Sequence, residues 1–258
     1  MILRQRGGAA QAGGSCRTGE RVVDLDPQKT AVIICDMWNE HWCVGATRRV
    51  AEMAPRMNAV VKELRGKGAL IIHAPSGTMN HYAGTPQRKL ALEAEPTETP
   101  VPLRESCPLD ESREGALPVD DSDGGCDCSV TCSQSKPWSK QIDAIEIEAG
   151  DAVAYGLEAL YLMQRRGRGD AIIMGVAANM CVLGRPFGIR QLVYQGKNTL
   201  LVRDMTEVMY NSRMEPRVNH FRGLDLVIEH IERFWCPTIT SDQIIGGEPF
   251  RFREDEGD

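Results

Sequence analysis

Residues 170–190 read DAIIMGVAANMCVLGRPFGIR, and this stretch decides the fold. The apolar run Ala171–Val176 precedes small and polar residues, which is typical of a central strand in a parallel sheet. Asn179 can act as an N-cap, and Cys181 would then lie in the first turn of a helix. Unpaired N–H groups and the helix dipole favour an anion there, so we expect a lowered thiol pKa and a nucleophilic cysteine. The alternative is a buried structural cysteine.

A second polar side chain follows another buried strand. The run Thr30–Cys35 (TAVIIC) is apolar and β-branched, and it ends in Asp36. The carboxyl ends of parallel strands open onto one edge of the sheet, where ligands of open α/β folds bind, so Asp36 and Cys181 can converge. A carboxylate beside a thiol can remove its proton and later return it to a leaving group. Taken alone, Asp36 could equally be an N-cap or a solvated charge.

The remaining chain alternates between strand and helix patterns. Apolar runs predict strands, and apolar residues at helical spacing predict helices. Pro55 is expected to kink or split the first helix, and Pro186 is expected to split the segment after Cys181. This alternation predicts an α/β fold with a parallel sheet and helices on both faces. The predicted strands are Ala69–Ile72, Ile142–Ile147 and 198–204, and the predicted helices are 47–66, 155–166 and 219–234.

Composition limits the class of protein. The 258 residues carry a net charge of −6 and 42% hydrophobic residues, which favours a globular domain and argues against nucleic-acid or membrane-surface binding through general basicity. No apolar run reaches the ~18 residues of a membrane helix, and the N-terminus lacks the apolar segment of a signal peptide. Nine cysteines suit free thiols in a reducing compartment, so we expect a cytoplasmic protein.

Four regions are expected. Residues 1–20 are interpreted as a flexible leader and 21–240 as a single domain. Within that domain, 76–140 is proline-rich and acidic, and it is interpreted as a long insertion loop. Residues 241–258 are interpreted as an acidic C-terminal tail, with a short extended piece at Ile244–Ile245.

Two motifs resemble one known family. GVAANMCV resembles the nucleophile segment of the isochorismatase-like cysteine hydrolases, and AVIICDMWN resembles their first strand with its catalytic aspartate. The resemblance covers roughly residues 28–75 and 142–235 of this chain. It implies a three-layer α/β sandwich, a homo-oligomer, and a covalent thioester mechanism on a small amide, carbamoyl group or ureide.

The resemblance also implies roles for single residues. Cys181 would be the nucleophile and Asp36 its base, and the backbone N–H groups of Ala177 and Cys181 would form an oxyanion hole. A non-proline cis peptide would fall at Val176–Ala177. The family's lysine would fall near Glu148, where this sequence has no lysine. Either a basic group comes from elsewhere, or catalysis is altered; the candidates are Lys140, Arg185 and His41.

Substrate-binding residues are expected around Asp36, with Trp42 beside them, although the tryptophans could simply pack the loop. The expected set is Trp38, Asn39, His41, His73, Val176 and Asn179.

Two groups of side chains could bind a metal ion. His41, His73 and His81 could do so, but lone histidines are more often ordinary hydrogen-bonding residues. Cys126, Cys128 and Cys132 with Cys107 could hold zinc, but a solvated acidic loop is the favoured interpretation. We therefore expect no metal and no cofactor.

Three functions are compatible with these residues. The favoured one is a cysteine hydrolase that cleaves a C–N bond of a small-molecule amide or ureide. The second is a catalytically silent relative that binds a ligand or partner, because the family lysine is missing. The third is a thiol- or metal-based sensor that uses the cysteines of 107–132.

Overall fold

In a computed structural model, which describes residues 1–7, 18–99 and 101–255, the chain forms one mixed sheet. Its strands are β1 (Ile2–Arg6), β2 (Thr18–Val22), β3 (Thr30–Cys35), β4 (Leu70–Ala74), β5 (Ala152–Val153), β6 (Asp170–Val176), β7 (Asn198–Glu207) and β8 (Thr238–Ile239). Their order is β2-β1-β8-β7-β6-β3-β4-β5. The six strands from β8 to β5 are parallel, and β1 is antiparallel to both its neighbours.

Helices cover both faces of this sheet. All six residues of β3 are buried although alternate side chains point to opposite faces, so neither face is open to solvent. The predicted three-layer α/β architecture is confirmed. No helix among the described residues is long and apolar enough to cross a bilayer. The helices are α1 (Val44–Gly66), α2 (Pro86–Leu92), α3 (Glu111–Glu114), α4 (Glu158–Arg165), α5 (Ile189–Tyr194), α6 (His220–Phe234) and α7 (Asp242–Ile245).

The central strands β3 and β6 approach each other closely. Cys35 pairs with Gly175, and a methyl group on Gly175 would lie 2.0 Å from the Cys35 carbonyl oxygen. Gly175 also has a φ of 125°, which L side chains rarely adopt, so only glycine fits there. This pairing places Asp36 and Val176 side by side at the carboxyl edge of the sheet.

The flexible leader predicted for 1–20 is wrong for the described residues within it. Ile2–Arg6 and Thr18–Val22 pair as a hairpin, and Arg4 pairs with Thr238 at the edge of the parallel sheet. Arg4 also donates to the buried Glu232 at 2.6 Å. Backbone pairing and this ion pair outweigh a composition that suggested disorder; residues 8–17 lie outside the described residues.

Three further predictions need correction. Ile142–Ile147 forms a turn rather than a strand, and the strand at that edge is β5. The side chains of Ile142 and Ile145 still pack against the core, which explains the apolar spacing. Pro55 does not split its helix, because α1 runs without a break from Val44 to Gly66. Ile244–Ile245 ends the short helix α7 instead of extending, and Phe252 beyond it is buried. Residues 256–258 of the predicted tail lie outside the described residues.

The insertion between β4 and β5 is mostly irregular, as predicted, but one carboxylate fixes it to the core. Glu114 at the end of α3 is buried and accepts hydrogen bonds from Arg190, His230 and Trp235 at 2.7–3.0 Å. Burial by itself would raise the pKa of Glu114, but the hydrogen bonds from His230 and Arg190 lower it to about 2. The insertion is therefore held by a charge that is present at any ordinary pH.

Replacing Glu114 with Gln should lower the free energy of unfolding by roughly 3 kcal/mol, because Arg190 loses its buried counter-charge. The Glu114 carboxylate has a lower pKa in the folded state, so its contribution is complete above pH 4.5 and disappears as the pH falls toward about 2. Denaturant unfolding of wild type and Glu114→Gln at neutral and acidic pH measures both effects. Glu111→Gln, on an exposed position of the same helix, is the matched control. Equal stability of the two variants at neutral pH would contradict this account.

Candidate active site

Asp36 is held rigidly at the end of β3. It is fully buried, and its φ of 49° is one that Asp tolerates better than most residues. One carboxylate oxygen accepts the Ser76 N–H at 2.7 Å, and the other accepts from Arg185 Nε at 3.2 Å. Both oxygens therefore have donors, and the carboxylate has one fixed orientation.

Cys181 reaches this carboxylate from the neighbouring strand. β6 ends at Val176, the Val176–Ala177 peptide is cis as the resemblance implied, and Ala178–Val182 form a turn of π-helix. The Cys181 thiol lies beside the Asp36 carboxylate and the backbone N–H of Ala177, close enough for both to act on its charge. The predicted convergence of Asp36 and Cys181 is present in the structure.

The predicted lowering of the thiol pKa is wrong. Burial, followed by the negative charge of Asp36, raises the pKa of Cys181 to about 12, although Arg185 and the Ala177 N–H act in the opposite direction. Cys181 lies within a π-turn whose N-cap is Ala177, so the stabilising α-helix terminus that the sequence suggested is absent from this segment. The resting site therefore holds a neutral thiol beside a carboxylate.

Arg185 supplies the positive charge at this site. Its Nη2 lies 3.2 Å from Asp36, and Asp36 and Cys181 together raise the pKa of Arg185 despite its burial. Of the other two candidates, Lys140 pairs with Asp143 at 2.6 Å on the surface. His41 accepts the Cys43 N–H, and burial lowers its pKa, so it is neutral at ordinary pH.

Glu148 does not lie in the site. It is exposed, four residues before β5, and pairs with Arg65 at 2.9 Å. The predicted strand Ile142–Ile147 would have ended next to Glu148, whereas the strand before α4 ends at Val153. Ala154 follows Val153 and is fully buried, so an alanine stands at that strand end.

Trp38 lines a cavity of about 330 Å³ next to the carboxylate. Its Nε1 donates to the Ser76 carbonyl at 3.0 Å, and its ring stacks on Trp138 of the insertion with centroids 4.2 Å apart. Tyr155, Lys136 and Arg185 also line this cavity. We call it the tryptophan cavity; it combines aromatic walls with two cationic side chains.

A second cavity, of about 480 Å³, exposes Cys181 itself. Arg185 borders it as well as the tryptophan cavity. Leu109 and Leu117 of the insertion give it an apolar wall. We call it the thiol cavity. A carbonyl carbon that reacts with the Cys181 sulfur must enter through the space that these residues enclose.

The other predicted substrate-binding residues have mixed positions. Asn179 lines the thiol cavity, but its amide donates to Asp121 and to the Met209 carbonyl, so it anchors the turn instead of capping a helix. Asn39 accepts the N–H groups of Ser139 and Lys140 and joins its loop to the insertion.

His73 and His41 have structural contacts. His73 is fully buried and hydrogen-bonds Gln141 and Asp151 with its two ring nitrogens, so it is not available to a substrate. The His41 ring stacks against Trp38. Val176 is buried beneath the turn. Trp42 packs against cysteine side chains at the start of α1.

Among the described residues, three cysteines form the one group of side chains that could hold a metal ion: Cys43, Cys126 and Cys128. Cys107 is not among them; it lies in the thiol cavity wall and donates to Gln191. The predicted solvated acidic loop is also wrong. Cys126 is fully buried, and Asp121 is bound to the Asn179 amide.

Comparisons with known proteins connect this geometry to a fold. No family model matches the sequence, and none of the curated proteins matches it significantly. Among solved structures, a cysteine hydrolase from Pseudomonas syringae pv. phaseolicola is similar with a TM-score of 0.55 and 15% identity, over 86% of this chain and 92% of that one. An isochorismatase from Pseudomonas putida has a TM-score of 0.51 and 13% identity, over 87% and 94% of the two chains. The chain has the isochorismatase-like α/β fold.

The charges around Cys181 predict opposite effects of two substitutions on its reactivity. Because Asp36 raises the thiol pKa and Arg185 lowers it, Asp36→Asn should speed alkylation of Cys181 at a fixed pH, and Arg185→Met should slow it. In the wild type the alkylation rate of Cys181 should keep rising with pH well beyond pH ~8.5, where the rate of a free thiol reaches its midpoint. Peptide mass mapping after timed iodoacetamide treatment measures each rate.

Lys140→Met is the matched control for these rates, because Lys140 pairs with a surface carboxylate and should leave the reactivity of Cys181 unchanged. Two results would contradict this charge arrangement. One is a wild-type alkylation rate whose pH midpoint is that of a free thiol; the other is a change of the same sign in the alkylation rates of Asp36→Asn and Arg185→Met.

Proposed function

We propose that this protein is a cysteine hydrolase that cleaves a C–N bond of a small amide or ureide through a thioester intermediate. The observation that carries the proposal is the position of the Cys181 thiol beside both the Asp36 carboxylate and the Ala177 N–H. A nucleophile, a base and an oxyanion donor are the three groups that acyl transfer requires. The fold likeness to a cysteine hydrolase is consistent with this chemistry.

The reaction begins with a neutral thiol. Asp36 takes the thiol proton as the Cys181 sulfur bonds to the substrate carbonyl carbon. The Ala177 N–H then turns from the sulfur, which has become neutral, to the negative oxygen, which it stabilises together with the Cys181 N–H. The C–N bond then breaks, and the protonated Asp36 gives its proton to the leaving nitrogen. Water, deprotonated by Asp36, attacks the thioester and releases the acid and the thiol.

The raised thiol pKa is compatible with this sequence. A sulfur whose pKa is about 12 does not wait as a thiolate at neutral pH, so proton transfer has to accompany attack. The direct Asp36 contact provides that transfer over a single hydrogen bond. Burial keeps bulk water from competing as a proton acceptor.

Arg185 is a positioning residue in this mechanism. It touches Asp36 and not the reacting carbon, and it balances the negative charge that moves between Asp36, the sulfur and the oxyanion. A lysine from the neighbouring strand end is not needed for that role, since Arg185 brings its guanidinium from the same segment as the nucleophile.

The silent-relative hypothesis is the second candidate. Its support is the alanine at the strand end before α4 and the raised thiol pKa, both of which would suit a pocket that binds without reacting. The two cavities beside Arg185 would then hold a ligand intact. The experiments below separate these functions.

Replacing Cys181 with Ala should lower turnover by roughly 10³-fold or more on any substrate that a screen for ammonia release from small amides and ureides identifies. Mass spectrometry of rapidly quenched wild-type enzyme should show an acyl adduct on the Cys181 peptide. Full turnover by Cys181→Ala would contradict the mechanism. Tight binding of screened amides without turnover, observed by calorimetry, would support the silent relative instead.

Replacing Arg185 with Met should lower kcat/KM by roughly 10²-fold, because preorganised charge at the reacting centre is lost. Arg185→Lys should recover part of the loss, since a positive charge remains near Asp36. Lys140→Met is again the matched control, with unchanged kcat/KM. Equal activity of Arg185→Met and wild type would exclude the role given to Arg185.

A further inference from the structure

Four cysteines from distant parts of the sequence meet at the start of α1. The sulfur atoms of Cys43, Cys126 and Cys128 all lie within 4.8 Å of one another. Cys132 packs against the same group, with its thiol beside those of Cys126 and Cys128. Three of the four come from the insertion, and Cys43 comes from the loop that follows Asp36. We call these four residues the cysteine cluster.

The sulfur spacing fits a metal ion better than a disulfide. The sulfur atoms of Cys43 and Cys128 are 3.8 Å apart. Tetrahedral zinc with bonds of about 2.3 Å to sulfur places neighbouring sulfurs about 3.8 Å apart. A disulfide requires about 2.05 Å, and these cysteines are free.

The backbone around the cluster is arranged for negatively charged sulfur. The Gly45 N–H at the N-terminus of α1 donates to Cys128 Sγ at 3.3 Å. The N–H groups on either side of it lie near two other sulfurs, Val44 near Cys132 and Ala46 near Cys43. The N–H groups of Cys128 and Cys132 lie near the Cys126 sulfur. The 23-residue helix α1 therefore points its positive end at the cluster.

A buried cation lies on the same side. A methyl group on Gly45 would be 3.1 Å from Arg49 Nη1 and 3.6 Å from Cys128 Sγ, so the guanidinium and the sulfur both lie against this glycine. Arg49 is 5% exposed, and its Nη2 has no hydrogen-bond partner among the described residues. The Nε of Arg49 pairs with the buried Glu207 at 2.8 Å, so Nη2 is the part of the guanidinium that the described chain leaves without a partner on the side of the cluster.

We propose that Cys43, Cys126, Cys128 and Cys132 bind one zinc ion as a closed, structural four-thiolate site. Four thiolates fill the tetrahedral coordination of zinc and leave no open position for a substrate or water, which separates this site from the catalytic one. Binding releases the thiol protons to solvent. The resulting charge of about −2 would be stabilised by the N-terminus of α1 and by the Nη2 of Arg49, whose Nε pairs with Glu207.

The zinc site would fix the insertion against the catalytic turn. Ala177 and Met180 of that turn pack against Cys43 and Cys126. The adjacent Gly125 lies so close to the Met209 carbonyl that a methyl group there would be 2.2 Å from its oxygen. A metal bound to both Cys43 and Cys128 would connect two segments that are 85 residues apart in the sequence. Loss of zinc should therefore loosen the wall of the thiol cavity.

The test is metal analysis of full-length protein purified without added metal or chelator. We expect about one zinc ion per chain in the wild type, and loss of most of it in Cys128→Ser. Cys107→Ser is the matched control: it also removes a thiol of the insertion, lies outside the cluster, and should keep its zinc. To separate loss of the metal from misfolding of Cys128→Ser, the wild type is also exchanged with Co²⁺, which should give the charge-transfer absorption of thiolate-bound cobalt.

Three results would overturn the proposal: zinc content unaffected by Cys128→Ser, stoichiometric iron in place of zinc, or metal-free protein whose four cluster thiols are all alkylated in the native state. None of these measurements requires a substrate. The zinc site and the proposed hydrolase activity can therefore fail independently.

Discussion

The pairing of Cys35 with Gly175 is the constraint on which the site depends. A side chain at Gly175 would collide with the Cys35 carbonyl, so β3 and β6 can approach this closely only with glycine there. Each strand continues by one residue into a functional group, Asp36 on one side and the Val176–Ala177 turn on the other. A shift of the register by one residue would move Asp36 away from the turn and reverse the direction of its side chain. The position of the thiol next to its carboxylate is thus decided in the sheet, before any loop contributes.

Electrostatics then decide the state of that thiol. Burial and Asp36 favour the neutral thiol, whereas Arg185 and the Ala177 N–H favour the thiolate. The first two effects are larger, so the pKa of Cys181 is raised. Asp36 itself is held by Ser76 and Arg185, so its charge is matched by fixed donors and cannot turn away. The cationic side chain of Arg185 comes from the same segment as the thiol, four residues after Cys181, so one stretch of chain supplies both the sulfur and the positive charge beside Asp36.

The sequence predicts those parts of the structure that depend on local patterns. The buried strands β3, β4, β6 and β7, the long helices and the positions of Asp36 and Cys181 follow from apolar periodicity and from side chains at strand ends. The errors occur where distant contacts override local signals. Ile142 and Ile145 alternate as a strand would, but they pack from a turn, and this misplaced Glu148. Asn179 has the composition of an N-cap, but Asp121 and Met209 take its amide. No local pattern predicts that Cys43 lies beside cysteines more than 80 positions away. The CxCxxxC spacing of Cys126, Cys128 and Cys132 is the one part of this cluster that the sequence shows.

The insertion is a structural part of the site and not a separate appendage. It supplies Trp138 to the tryptophan cavity and Leu109 and Leu117 to the thiol cavity. Its backbone also reaches the segment that follows Cys181, because the Cys107 N–H donates to the Gly184 carbonyl at 2.9 Å. A loop with so little regular structure keeps such positions only if buried anchors offset its conformational entropy. Glu114 is one such anchor, through its contacts with Arg190, His230 and Trp235. The insertion cysteines of the cluster follow Glu114 in the same loop, and Leu117 of the thiol cavity lies between Glu114 and these cysteines in the sequence.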